Sequence, residues 1–362
     1  MALYGFGSNI MGQLGLEGDE VFFDTPIEIK QFRNKKIIKI ACGKMHSLVL
    51  CENNELYSWG VNDDYALGRE GVEDEGVMRI DFKDEISDIC AGASFSAILT
   101  NKGSVFICGT FKSTNGVFGF SRDEKFGVGF HRLQIKGIKS IGAGSNHLLM
   151  IHRNGDIFSV GANESFQLGR KHRIRNEKYV LIPHPISSQK NREENYNFVK
   201  AVGGAHHSFA INVISQGFGW GSNCNGQLGT GTFLSEDLKH KLEIENIDQI
   251  ECGYNHTILL TKEKKLYGCG DNAQFQLSKE GEILKGFQIL TNLTFDEIKS
   301  GGDFIVVRRK NKLFCRGINV ECECGQPNTK GEINDFTEVK FSFKNIVKYA
   351  CGGNFTLVYT EK

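Results

Sequence analysis

The sequence predicts an all-β chain: a seven-bladed β-propeller with four-stranded blades, its ring closed by pairing the first strand with the last. Three observations carry this. One pattern recurs seven times, at ~50 residues per unit, a propeller-scale period. Each unit holds two apolar, strand-like runs joined by a polar turn. The chain also ends at the point in the pattern from which its first residues continue.

The pattern is a strand ending in Gly, an Asn two residues on, and a closing Leu-Gly pair. It reads GSNIMGQLG at 7–15, GVNDDYALG at 60–68, GANESFQLG at 161–169 and GSNCNGQLG at 221–229. Weaker copies are GDNAQFQLS at 270–278 and GINVECECG at 317–325; in all six, eight residues separate the first position from the last. The remaining copy, GTFKSTNGVFG at 109–119, spans ten. A repeat sets architecture, and a break in it marks a place where function is grafted.

A second glycine recurs out of phase, at Gly43, Gly92, Gly144, Gly204, Gly253, Gly302 and Gly352. Three residues later stand His46, Phe95, His147, His207, His256, Ile305 and Phe355, and an apolar run follows each. Turns such as Arg153-Asn154-Gly155-Asp156 suit tight hairpins into the next strand. The last repeat stops after YACGGNFTLVYTEK, where the others go on to a further strand; ALYGFGSN at the start is that strand. Pairing 354–360 with 2–6 removes the free edges of an open ring. The expectation is one propeller domain over 1–362, with no separate N-terminal tail.

Composition narrows the function classes. Gly is frequent at 43, Pro scarce at 4, and 43 Lys plus Arg balance 43 Asp plus Glu. Neutrality argues against a body that coats nucleic acid everywhere, while leaving room for a local basic patch. No run of about 18 apolar residues exists, so no membrane span or membrane partner is expected. Of the 11 cysteines, Cys42, Cys252 and Cys351 share one repeat position, as small buried packing residues do. No CxxC pair exists, so neither metal nor cofactor is expected. The four repeat histidines read as structural, because each opens a buried strand where an imidazole can bond a neighbouring blade's backbone. No nucleophile motif, phosphate-cradling loop or carboxylate pair supports a hydrolase or metalloenzyme.

Both tryptophans, Trp59 and Trp220, precede Gly, unlike the Trp-Asp of WD blades, and the glycine pairs lack the spaced Tyr and Trp of kelch blades. Instead GVNDDYALGR, GTFKSTNGVFG, AGSNHLLMIHRNGDIFSVG, GGAHHSFAI and the repeated xCGxxH resemble the regulator of chromosome condensation family. The resemblance covers essentially the whole chain, in repeat order. It implies a seven-bladed propeller that serves as guanine-nucleotide exchange factor for the small GTPase Ran, with no covalent chemistry. The alternative is a non-catalytic propeller scaffold for protein or chromatin binding, since the generic repeat is shared with exchange-inactive relatives.

The broken repeat, Thr110–Phe118, holds Asn115-Gly116, a strong hairpin turn, so it should project as a short β-hairpin. A longer but idle loop is the plainer reading. The resemblance places the family's wedge here, implying that Phe111, Lys112, Ser113, Thr114, Asn115, Gly116 and Val117 press into the GTPase's nucleotide site.

Loops after the second glycine carry Lys44-Met45, Ala93-Ser94, Ser145-Asn146, Ala205-His206, Tyr254-Asn255, Asp303-Phe304 and Gly353-Asn354. Their varied chemistry suits partner recognition, and Lys44, Met45, Ala93, Ser94, Ser145, Asn146, His206, Asn255, Asp303 and Asn354 are the candidate GTPase contacts. Ala93 and Asn146 stand where the resemblance places acidic residues, and Phe355 where it places a histidine.

The longest interval between aligned glycines, Gly144 to Gly204, holds RKHRIRNEK from Arg170. Arg170, Lys171, Arg173 and Arg175 could meet phosphate or an acidic histone surface; a solvated loop is the plainer reading. The resemblance implies nucleosome docking in this region and a nuclear location. The family's basic N-terminal tail has no counterpart in this sequence, and no import signal is visible.

Overall fold

The second strand of each repeat is apolar along its length, without the alternation of a half-exposed sheet. Such a run needs cover on both faces, and the fold supplies it by standing sheets side by side around a ring. A computed structural model describes residues 1–71, 76–114, 116–170, 179–186, 196–329 and 331–361. Seven four-stranded antiparallel sheets form the blades.

Blade 1 runs Ile37–Cys42, His46–Cys51, Glu55–Gly60 and Met78–Ile80. Blade 2 runs Ile86–Ala91, Phe95–Thr100, Val105–Gly109 and Gly127–Arg132. Blade 3 runs Ile138–Ala143, His147–His152, Ile157–Gly161 and His184–Pro185. Blade 4 runs Phe198–Gly203, His207–Asn212, Gly217–Gly221 and Glu236–Lys241. Blade 5 runs Ile247–Cys252, His256–Thr261, Leu266–Gly270 and Leu284–Ile289. Blade 6 runs Glu297–Ser300, Phe304–Arg309, Lys312–Ile318 and Glu332–Glu338.

Blade 7 is built from both ends of the sequence. Its inner strands are Ile346–Cys351 and Phe355–Thr360, its outer ones Ala2–Ser8 and Phe22–Glu28. The closing register runs from Ala2 opposite Thr360 to Gly7 opposite Phe355, as the phase of the repeat predicts.

First strands line a central channel of about 650 Å³. In its wall Glu251 accepts from Lys299 at 2.8 Å and Lys200 at 3.2 Å. Burial pushes that carboxyl up, but the two ammonium groups outweigh it and hold it below the usual range. The hydrophobic core lies between blades rather than within any one of them. Alternating side chains of a second strand serve two clusters: Leu48 and Leu50 pack against Ile89 and Ile98 of blade 2, while Val49 joins Leu3, Leu357 and Tyr359 of blade 7.

Polar latches reinforce these seams. The Nε2 atoms of His46, His147, His207 and His256 lie 2.8–2.9 Å from hydroxyls of the next blade, those of Ser96, Ser208, Thr257 and Ser300. Ser96 donates onward to the Ala66 carbonyl at 2.7 Å; Ser208 and Thr257 donate to those of Gln167 and Gln227 at 2.8 Å. A hydroxyl has one proton, so in these three latches the imidazole Nε2–H is the donor and its tautomer is fixed. The sequence predicts a bond to neighbouring backbone; the structure interposes a hydroxyl between ring and carbonyl.

Each ring packs flat on the second glycine of its repeat. A Cβ on Gly144 would lie 2.1 Å from the His147 ring, and one on Gly301 would lie 2.0 Å from Phe304. The latter corrects the sixth repeat. Its packing pair is Gly301 and Phe304, not Gly302 and Ile305, and Phe304 pairs with Gly317 as His46 does with Gly60.

Closure of the ring is open to a direct test. Phe355–Thr360 supplies Phe355, Leu357 and Tyr359 to the seam with blade 1 and Val358 to that with blade 6. Each large side chain removed from a core costs about 2–5 kcal/mol, against a total stability of about 5–15 kcal/mol. Deleting 355–362 should therefore unfold the whole ring rather than fray one end. A truncated chain that stays monomeric and melts like the full one would contradict closure.

The latches carry a pH dependence. Burial pulls the His46 imidazole down to about 4 and those of His147, His207 and His256 to about 3. An unfolded histidine titrates near ~6.5, so below that pH the unfolded chain binds more protons. The stability these groups contribute is full above ~6.5 and falls as pH drops toward their folded values. Replacing His207 by Phe, the residue at three equivalent positions, should shrink the loss of urea midpoint between pH 7.5 and 5. An equal loss in both proteins would contradict a neutral buried imidazole.

Candidate functional site

Each second strand begins where its third strand ends, so the loop before one and the turn after the other share a rim. Backbone bonds join them: Val61 to Met45, Thr110 to Ser94, Ala162 to Asn146, Ser222 to His206, Asp271 to Asn255 and Ile318 to Asp303, with donor–acceptor distances of 2.8–3.1 Å. The candidate contact loops and the broken repeat therefore lie on one face of the ring.

In six turns the repeat Asn organises the chain. Its Oδ1 accepts from the amide five residues on: Leu14 donates to Asn9 at 2.9 Å and Leu277 to Asn272 at 2.7 Å. Its Nδ2 donates onward, as from Asn163 to the Arg170 carbonyl at 3.0 Å. Blade 2 has Phe111 in that place. Without the Asn, the chain leaves the rim as a separate two-stranded hairpin, Phe111–Ser113 against Gly116–Gly119.

Phe111 is fully buried, its ring 4.9 Å from that of Phe95; it anchors the hairpin and does not reach a partner. Lys112 is half-buried and ion-paired with Asp64 of blade 1. Ser113 is half-buried, while Thr114, Gly116 and Val117 are exposed; Asn115 lies outside the described residues. Ser113 pairs with Gly116, so Gly116 lies in the second strand of the hairpin rather than in its turn, where the Asn115-Gly116 reading places it.

Blade 3 holds the other flank. Thr114 donates its amide to Glu164 Oε2 at 3.0 Å and its hydroxyl to Oε1 at 3.1 Å. The Lys112 amide donates to Asn146 Oδ1 at 3.1 Å. Beside the hairpin is a cavity of about 280 Å³, lined by Lys44, Met45, Asp63, Ala93, Lys112 and Asn146 among others. Asp64 and Glu164 were not among the sequence candidates. Their signal is two carboxylates at variable turn positions of the blades flanking the broken repeat.

Elsewhere on this rim Met45, Ala93, Ser145, His206, Asn255 and Asn354 are half-buried and Lys44 is exposed. Ser94 is buried, and its carbonyl holds Thr110, so it serves the scaffold rather than the surface. Lys44 reaches the Tyr254 ring at 5.9 Å. Blades 5 to 7 make an acidic sector. Burial, with Asp271 adding, pushes Asp303 up to about 6; burial pushes the enclosed Glu323 up to about 7. Asn354 donates to Glu321 at 2.8 Å.

Arg170 departs from expectation. It is buried, and its Nη2 donates to the carbonyls of Val180 at 3.1 Å and Ile182 at 3.2 Å. Burial lowers it to about 10. It pins the chain at Val180 and Ile182 and is withdrawn from any basic surface. Lys171, Arg173 and Arg175 lie outside the described residues.

The family model of the RCC1-like domain matches residues 2–358. Protein pim1 of Schizosaccharomyces pombe is 28% identical, over 76% of this chain and 55% of its own length, so this chain spans about half of that relative. The regulator of chromosome condensation of Mus musculus is 28% identical, over 98% of this chain and 89% of that protein. Guanine nucleotide exchange factor SRM1 of Saccharomyces cerevisiae is 25% identical, over 89% and 78%. The crystal structure of Prp20p from Saccharomyces cerevisiae has the same fold, with a TM-score of 0.91 at 22% identity, covering 99% of this chain and 90% of that one. Because the family model matches nearly every residue, from 2 to 358, the chain belongs to the RCC1-like domain family.

Proposed function

We propose that this protein is a guanine-nucleotide exchange factor for a Ran-type small GTPase, with the blade 2 hairpin as its wedge. One observation carries the reading: of seven repeats on one rim, a single one is expanded, and its expansion is a braced hairpin beside the contact loops. The relatives support it, since one is named as an exchange factor and Prp20p was described with its binding to Gsp1p and histones.

The mechanism is linkage rather than covalent catalysis. A GTPase holds its nucleotide through phosphate-loop amides, a lysine and Mg²⁺. A protein that binds the empty form more tightly than the loaded form lowers nucleotide affinity by the same factor. Half-buried contact loops supply docking, and the exposed Thr114, Gly116 and Val117 compete for space at the nucleotide site. No group on the rim needs to donate or accept a proton. The location that fits this role is nuclear, with chromatin contact through Lys171, Arg173 and Arg175.

The protein should accelerate release of labelled GDP from purified Ran. Removing residues 114–115 restores the eight-residue spacing of the other repeats and spares Phe111. That variant should melt like the full chain while GDP release falls to the intrinsic rate. Release at the full rate would overturn the wedge assignment, and no release by the full chain would favour a scaffold.

Neutralising Lys171, Arg173 and Arg175 should weaken DNA or nucleosome binding. It should also flatten the salt dependence by ~0.9 in log–log slope for each phosphate the protein ceases to neutralise. Exchange in solution should be unaffected. Unchanged binding and slope would assign the segment to solvent.

A further inference from the structure

The hairpin pairs with no other strand among the described residues, and its strands are three and four residues long. An isolated hairpin of this size is marginal in water. Its direction must come from groups outside it. At the base, Phe111 is buried and Phe118 packs on the cluster between blades 2 and 3. Thr110 donates its hydroxyl to the Lys125 carbonyl at 2.7 Å. These contacts fix where the hairpin starts, not where its tip points.

The tip is held by side chains from both neighbouring blades. Glu164 is a single carboxylate taking two donors of Thr114, the residue next to the exposed end. Asn146 takes the Lys112 amide from the same side. Asp64 takes the Lys112 ammonium from the opposite side. At the repeat position of Glu164 the other turns carry Ile10, Asp63, Cys224, Ala273 and Val320. Asp64 stands one position further on, where the other turns carry Met11, Ser165, Asn225, Gln274 and Glu321, so the two flanking blades brace the hairpin from different turn positions. Opposed anchors on two flanks fix a lever more firmly than either alone, because each blocks the swing the other permits.

We propose that Glu164 is a positioning residue that, with Asn146 and Asp64, sets the angle at which the hairpin projects. Lys112 is then an anchor neutralised by Asp64, not a cation presented to the nucleotide's phosphates. The proposal rests on the exchange reading for its kinetic consequence alone. A wedge acts only from its productive orientation, and a misplacement of about 1 Å can cost about 100-fold. Loosening the tip lowers the fraction of molecules ready to act, while docking through the contact loops persists.

The test uses the full chain. Hydrogen–deuterium exchange of 112–117, without any GTPase, should show lower protection in Glu164→Ala and recovery in Glu164→Gln, whose Oε1 still accepts. In GDP release from Ran, Glu164→Ala should lower kcat about tenfold with KM changed less than about twofold, and Glu164→Gln should recover most of the rate. Unchanged protection in Glu164→Ala overturns the proposal. If the full chain releases no GDP, the exchange reading fails while the protection measurement still decides the positioning role.

Lys112 is tested by a double-mutant cycle. If it is an anchor, Lys112→Met and Asp64→Asn should slow release similarly, and together no more than either alone. A Lys112→Met loss far beyond that of Asp64→Asn, with additive effects, would assign the lysine to the phosphates instead.

Discussion

No blade of this protein buries its own core. Each second strand is apolar on both faces, and each face is covered only by a neighbouring blade. The unit of stability is therefore the seam, and the ring is the arrangement in which every seam is filled. Closure through blade 7 completes the last two seams and leaves no inner strand uncovered. The histidine–hydroxyl–carbonyl latches add direction to this packing: they are satisfied only when neighbours sit in one register.

A body held this way is a stiff platform, and stiffness is what a displacing element needs beneath it. The repeat Asn ties six turns down to the rim. Where Phe111 replaces it, the chain is released outward, and the phenylalanine's burial roots what is released. The same substitution thus frees the hairpin and anchors it. Side chains of blades 1 and 3 then brace it, so its orientation inherits the rigidity of the ring.

The fold was legible in the sequence because a period needs no register to be seen. Seven recurrences and their phase at the two ends are enough to predict the closed propeller. Details that depend on side-chain direction were less legible. The sixth repeat offers Gly301 and Gly302 in succession, and only the seating of Phe304 on Gly301 distinguishes them. Arg170 begins a basic run, yet carbonyls of the returning segment draw it inside. The hairpin was predicted from its length and its Asn-Gly pair, but its closing pair is Ser113 with Gly116. Asp64 and Glu164 escaped notice because their partner is about 50 residues away, near one repeat length, and on another blade.

The central claim is that this rim prefers a GTPase without its nucleotide. The most direct measurement is the affinity of the purified protein for nucleotide-free and for GDP-loaded Ran, by surface-immobilised binding. The account predicts much tighter binding to the empty form, and dissociation of that complex when GDP or GTP is added. Equal affinity for both forms, with a complex indifferent to added nucleotide, would contradict it.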